Sequence, residues 1–76
     1  MTRSEYNNYS GKFTVKILQK YFGCVFNSQK GSHVKFKTIN NTSVIIPLHK
    51  SLAYGTFKSV LSQADISEEE FYKQIK

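Results

Sequence analysis

The stretch Gln29-Lys30-Gly31-Ser32-His33-Val34-Lys35-Phe36-Lys37 decides how this chain folds. Its first four residues are a turn-forming cluster around one glycine. The five that follow alternate, with Val34 and Phe36 on one face and His33, Lys35 and Lys37 on the other, the period of a strand half in the core. One face is therefore core and the other is basic. Working outward, Cys24 to Ser28 reads as a short strand before the turn. After the alternating run, Asn40-Asn41 suits a tight hairpin, because Asn tolerates positive φ, and leads into a third strand at Ser43 to Leu48. Pro47 has no N–H to give a ladder, so that strand ends there or lies at an edge.

The period changes on both sides of this block. Phe13, Ile17, Leu18 and Tyr21 recur at helical spacing opposite Lys12, Lys16, Gln19 and Lys20, which predicts an amphipathic helix over 11–22. Ser10 is its N-cap and Gly23 the left-handed residue that ends it. Phe57, Val60, Leu61 and Ala64 predict a second helix at about 56–64, with Gly55-Thr56 at its start. Ser67 followed by Glu70 is a capping-box pattern and predicts a short final helix over 68–75, packed through Phe71 and Ile75. Helix, three strands, helix and helix give an α+β fold: a three-stranded antiparallel sheet with helices on one face. Residues 1–9 carry two tyrosines among polar residues without periodicity and read as a loose extension, leaving 10–76 as one domain.

A chain of 76 residues holds one core, and 39% hydrophobic residues are enough to form it. The net charge is +6, unevenly spread: residues 1–64 carry nine Lys and Arg against Glu5 alone, whereas 65–76 carry Asp65, Glu68, Glu69 and Glu70 against Lys73 and Lys76. A field of one sign attracts polyanions, so nucleic acid is the first partner to consider and an acidic protein the second. Cys24 is the single cysteine, which excludes an intrachain disulfide and a cysteine metal cluster. The sequence contains no membrane-length apolar run, and its opening lacks the apolar stretch of a signal peptide. The expectation is a cytoplasmic chain with no membrane partner.

His33 is the leading candidate for chemistry. An imidazole takes or gives a proton near neutrality, and RNA supplies its own nucleophile, the 2′-hydroxyl. A protein then has to remove that proton, stabilise charge on phosphorus and protonate the leaving 5′-oxygen. His33 suits the first or last task, Lys30, Lys35 and Lys37 the second; Gly31 lets backbone N–H groups approach a phosphate and Ser32 adds a hydroxyl. The scheme calls for no metal and no cofactor. The alternative is that His33 is an ordinary exposed strand histidine. His49 is a secondary candidate for a proton carrier, with a loop histidine as the alternative. Thr56 and Lys58, at the start of the second helix, offer N–H groups and a cation to a phosphate, or form a plain cap with a solvated lysine. Tyr6, Tyr9, Tyr54 and Tyr72 suit base stacking, and equally core packing.

The blocks Gln29 to Phe36, Val44-Ile45-Ile46-Pro47-Leu48-His49-Lys50, Gly55-Thr56-Phe57-Lys58-Ser59-Val60-Leu61 and Ala64-Asp65-Ile66-Ser67, preceded by Ser10-Gly11-Lys12 and Gly23, resemble the HicA family of toxin ribonucleases over about residues 10–75. The resemblance implies a double-stranded-RNA-binding-domain-like fold and metal-independent cleavage of mRNA by the toxin of a type II toxin–antitoxin system. It also implies a HicB-type antitoxin as partner, with the toxin monomeric alone or part of a hetero-oligomer. The family's catalytic histidine falls on His33. Val34 stands where many relatives carry a second histidine, Phe57 where a leucine-type residue is common, and Ala53-Tyr54 where basic residues often precede Gly-Thr. Two rival classes remain: an RNA-binding module of the same fold that does not cut, and an interaction domain whose basic face docks an acidic protein.

Overall fold

The computed structural model describes residues 6–75. The order is α1 (Gly11–Phe22), β1 (Val25–Lys30), β2 (His33–Lys37), β3 (Ser43–Pro47), α2 (Tyr54–Gln63) and α3 (Glu68–Ile75). The strands form one antiparallel sheet in the order β1-β2-β3, the α+β layout expected from the sequence. Val34, Phe36, Val44 and Ile46 point to the side covered by the helices and join Ile17, Leu18, Phe57, Val60, Leu61 and Phe71 in the core. Among the described residues, no helix covers the other side of the sheet.

The first helix starts as its sequence predicts: Ser10 Oγ accepts the N–H of Phe13 at 2.9 Å. It ends at Gly23, with φ of 70°, where the N–H groups of Gly23 and Cys24 both turn back to the carbonyl of Leu18. Its buried stripe differs from the predicted one. Thr14 is fully buried, its hydroxyl satisfied by the Ser10 carbonyl at 3.0 Å, while Tyr21 is 43% exposed. A hydroxyl bonded within its own helix turn carries no unmet partner into the core, which is why a threonine fits there.

The first strand runs later than expected. Cys24 lies buried before it, and the strand continues through Gln29 and Lys30, so the turn shrinks to Gly31-Ser32. Pairing also slips by one residue: Phe26 faces Phe36, but Ser28 faces Lys35. The extra residue, Asn27, makes a bulge that returns Phe26 to the helix side while keeping Ser28 and Lys30 on the open side. Phe26 then meets Phe36 edge-on at 6.0 Å between ring centroids.

The second hairpin uses Asn41 in the left-handed region, φ 64°. The backbone N–H of Thr38 reaches the Thr42 carbonyl at 2.9 Å, leaving a three-residue loop. The third strand ends at Pro47, one residue short of the predicted Leu48. Ile45 N–H points to the free edge, where Gln63 of α2 accepts it at 3.0 Å. Two residues further on, the nitrogen of Pro47 faces the same edge, the side on which a missing N–H disturbs no ladder.

The second helix begins at Tyr54, two residues before the predicted start, so Gly55 and Thr56 lie inside its first turn; its cap, Ala53, makes no side-chain hydrogen bond. The third has the predicted capping box, with Glu70 N–H to Ser67 Oγ at 3.0 Å and Ser67 N–H to Glu70 Oε1 at 2.9 Å. It buries Phe71 and Tyr72, with Ile75 only partly covered. Tyr72 and Tyr54 both donate to the Glu68 carboxylate, at 3.0 and 2.7 Å. Burial and that carboxylate raise the Tyr72 hydroxyl far above the usual tyrosine range.

Tyr6 and Tyr9 fall in the segment that reads as a loose extension, yet both pack on the core. Tyr6 donates to the Leu52 carbonyl and lies 4.6 Å from Phe57, and Tyr9 lies 5.2 Å from Phe13 between ring centroids. The Leu52 N–H meets the Tyr9 carbonyl at 2.8 Å. Residues 1–5 of that segment lie outside the described residues.

Candidate active site

The turn that presents His33 is fixed by backbone geometry. Lys30 and His33 are cross-strand partners with only Gly31-Ser32 between them. Gly31 has φ of 58° and Ser32 is not among the residues with positive φ, the pattern of a two-residue hairpin with glycine first. Open space surrounds Gly31, and its carbonyl accepts the Gln29 side-chain amide at 3.0 Å. Gln29, part of the turn-forming cluster read from the sequence, thus lies in β1 and braces the turn through its side chain.

Cross-strand register then decides which side chains share the open face. His33 stands opposite Lys30 on β1 and Pro47 on β3, Lys35 opposite Ser28 and Ile45, and Lys37 opposite Val25 and Ser43. His33 and Lys30 are exposed, and Lys35 and Lys37 are half-buried along the same face. The structure therefore brings together His33, Lys30, Lys35 and Lys37, with Gly31 and Ser32 at the end of the row. The described carboxylates lie elsewhere. Asp65 and Glu70 line a pocket with Thr38, Ile39 and Asn40 at the far end of β2. That end is about 16 Å from His33 at the usual rise per strand residue. Glu68 is engaged by the two tyrosines on the helix side.

Thr56 and Lys58 do not join this row. They lie on α2, in the layer covering the opposite side of the sheet, with Lys58 Nζ 5.6 Å from the Tyr54 ring centroid. Gly55 and Thr56 N–H still precede the first intrahelical bond, from Phe57 to Ala53. Tyr54 and Tyr72 share the Glu68 carboxylate in the helix layer, on the side of the sheet away from the lysine row. Cys24 is buried, and burial pushes its thiol up.

His49 does approach the site. Its ring centroid lies 6.4 Å from that of His33, the planes at 74°. Among the described residues no group of three or more His, Cys, Asp or Glu side chains is placed to hold a metal ion. No helix among them is long and apolar enough to cross a membrane.

A family model for the HicA toxin of bacterial toxin–antitoxin systems matches residues 11–66, spanning α1 through α2 and the Gly31-Ser32-His33 turn. The chain belongs to the HicA toxin family. HicA membership assigns it the toxin side of a toxin–antitoxin pair and implies an antitoxin partner. No curated protein matches the chain. Within this HicA fold, Val34, next to His33, is only 4% exposed on the helix-covered face. A side chain there points away from the basic row.

Proposed function

We propose that this HicA-family chain is a metal-independent endoribonuclease that cleaves mRNA, with His33 as a general acid or base. The observation that carries the reading is the placement of His33 at the end of a row of lysines on an uncovered sheet face, beside a glycine turn. A phosphodiester set against that row meets cations from Lys30, Lys35 and Lys37 as negative charge builds on phosphorus. Gly31 and Ser32 leave room and a hydroxyl for a non-bridging oxygen. The ribose 2′-hydroxyl is the nucleophile, so the products are a 2′,3′-cyclic phosphate, or the 3′-phosphate after its hydrolysis, and a 5′-hydroxyl. A HicB-type antitoxin would neutralise the toxin in the cytoplasm by placing acidic residues over the same cations. Thr56 and Lys58 belong to a separate surface, where α2 offers a second contact for the RNA backbone.

The test is cleavage of an RNA oligonucleotide and of its 2′-deoxy counterpart in excess chelator, by the parent chain and by His33→Ala. Cleavage of RNA alone, lost by about 10²- to 10⁴-fold in the folded variant, supports the reading. Full cleavage by folded His33→Ala refutes it, and RNA binding without cleavage by the parent favours the non-cutting module.

A further inference from the structure

Breaking an RNA strand through its own 2′-hydroxyl moves two protons. One leaves the 2′-oxygen as the O2′–P bond forms, and another must reach the 5′-oxygen as the P–O5′ bond breaks. A single imidazole at His33 serves one of these at a time. A lysine side chain in general holds charge at neutral pH rather than giving a proton.

We propose that His49 is the second proton carrier of this site. The inference rests on the ribonuclease reading and deepens it. The 6.4 Å between the His33 and His49 ring centroids is longer than a direct imidazole–imidazole hydrogen bond allows. It lies within the span of two hydrogen bonds of about 3 Å each made to different oxygens of one phosphodiester. Both rings are exposed, so both reach a bound strand. One takes the 2′-hydroxyl proton, the other, entering as imidazolium, gives its proton to O5′, and the cleavage is neutral in protons overall.

The backbone shows that His49 is placed rather than merely nearby. Leu48 N–H donates to the Ser32 carbonyl at 2.6 Å, tying the segment to the turn that presents His33. The His49 carbonyl accepts the Gly11 N–H at 2.9 Å, tying it to the start of α1. Gly11 is buried against this segment, where a Cβ would run into the Pro47 carbonyl oxygen and stand 2.8 Å from Leu48 Cα. Gly11 is thus a positioning residue: its missing side chain sets how closely residues 47–49 approach the helix.

The experiment compares the parent, His33→Ala and His49→Ala on two RNAs. One is an ordinary RNA; the other carries sulfur in place of the bridging 5′-oxygen at the cleaved linkage, a leaving group that needs no protonation. On the ordinary RNA, His49→Ala is expected to lose about 10²- to 10⁴-fold. On the sulfur-bridged RNA, one of the two variants returns to within a few-fold of the parent and the other stays impaired, because only the acid becomes dispensable. The rescued variant identifies the acid. Failure of both variants to be rescued overturns the inference. Where His33→Ala is the rescued variant, His49→Ala must lose the acid limb of the parent's pH–rate profile on ordinary RNA, and a retained limb overturns the inference, as does a His49→Ala variant within about threefold of the parent on ordinary RNA while His33→Ala is inactive. A parent that cuts neither RNA overturns the ribonuclease reading itself, and this inference with it. Circular dichroism of both variants, each altered at an exposed position, confirms that the comparison is between folded proteins.

Discussion

Replacing Gly11 by alanine is expected to destabilise the protein, although local rules predict the opposite. An alanine in a helix gains up to about 1 kcal/mol over glycine, because less backbone entropy is lost on folding. Gly11 has no positive φ to protect, so nothing in its own conformation resists a side chain. The resistance comes from the neighbouring segment, since the added Cβ would collide with the Pro47 carbonyl and press on Leu48 Cα, both main-chain atoms. Overpacking of this kind costs about 1–3 kcal/mol. The Gly11 N–H to His49 carbonyl bond, at 2.9 Å, would be stretched as well, a further loss of about 1 kcal/mol. The net expectation is a loss of about 1–3 kcal/mol, or a fall in Tm of about 5–20 °C for a domain of this size. Gly55 is the matched control: it also lies in the first turn of a helix, but no atom stands within 4 Å of where its Cβ would be. Gly55→Ala is therefore expected to leave stability unchanged or raise it by up to about 1 kcal/mol. Urea unfolding of the parent and both variants, followed by far-ultraviolet circular dichroism, separates the two. A Gly11→Ala variant as stable as the parent would refute the close approach of α1 to Pro47-Leu48.

Phe57 is fully buried at the meeting point of Tyr6, Tyr9, Phe71 and Tyr72, and Phe57→Ala is expected to cost about 3–5 kcal/mol. Against a total of about 4–11 kcal/mol for a chain this long, the variant should be largely unfolded by mild urea, and a midpoint near the parent's would contradict the packing. Hydrogen bonds from Ser67 hold the Glu70 carboxyl below its ordinary value. A lowered folded-state value contributes stability in full above the unfolded value of about 4.3, and that contribution disappears as pH falls through the folded one. Glu70→Gln should accordingly flatten the stability profile below about pH 4.3, and an acid limb identical to the parent's would show that the cap does not hold the Glu70 carboxylate.

What the sequence determined by itself were the features that one segment carries alone. The period of 2 in His33 to Lys37, the helical period around Ile17 and Leu18, Ser10 and Gly23 at the ends of α1, and the Ser67–Glu70 box all act within a few residues, and all appear where expected. The same alternation put His33, Lys35 and Lys37 on one face before any sheet was known. Relations between distant segments came instead from the folded chain. The Asn27 bulge is a choice of register between two strands, and no local pattern sets it. Tyr6 and Tyr9 look unpatterned because their partners lie on α1, α2 and α3 rather than beside them in sequence. Thr56 and Lys58 lie on α2, with the sheet between them and the lysine row, a separation that only the packing of α2 on the sheet sets. His33 and His49 are sixteen residues apart in sequence and 6.4 Å apart between ring centroids because β2 and β3 pair antiparallel, which returns the end of β3 to the start of β2. Chain folding, rather than composition, converts two ordinary histidines into a pair.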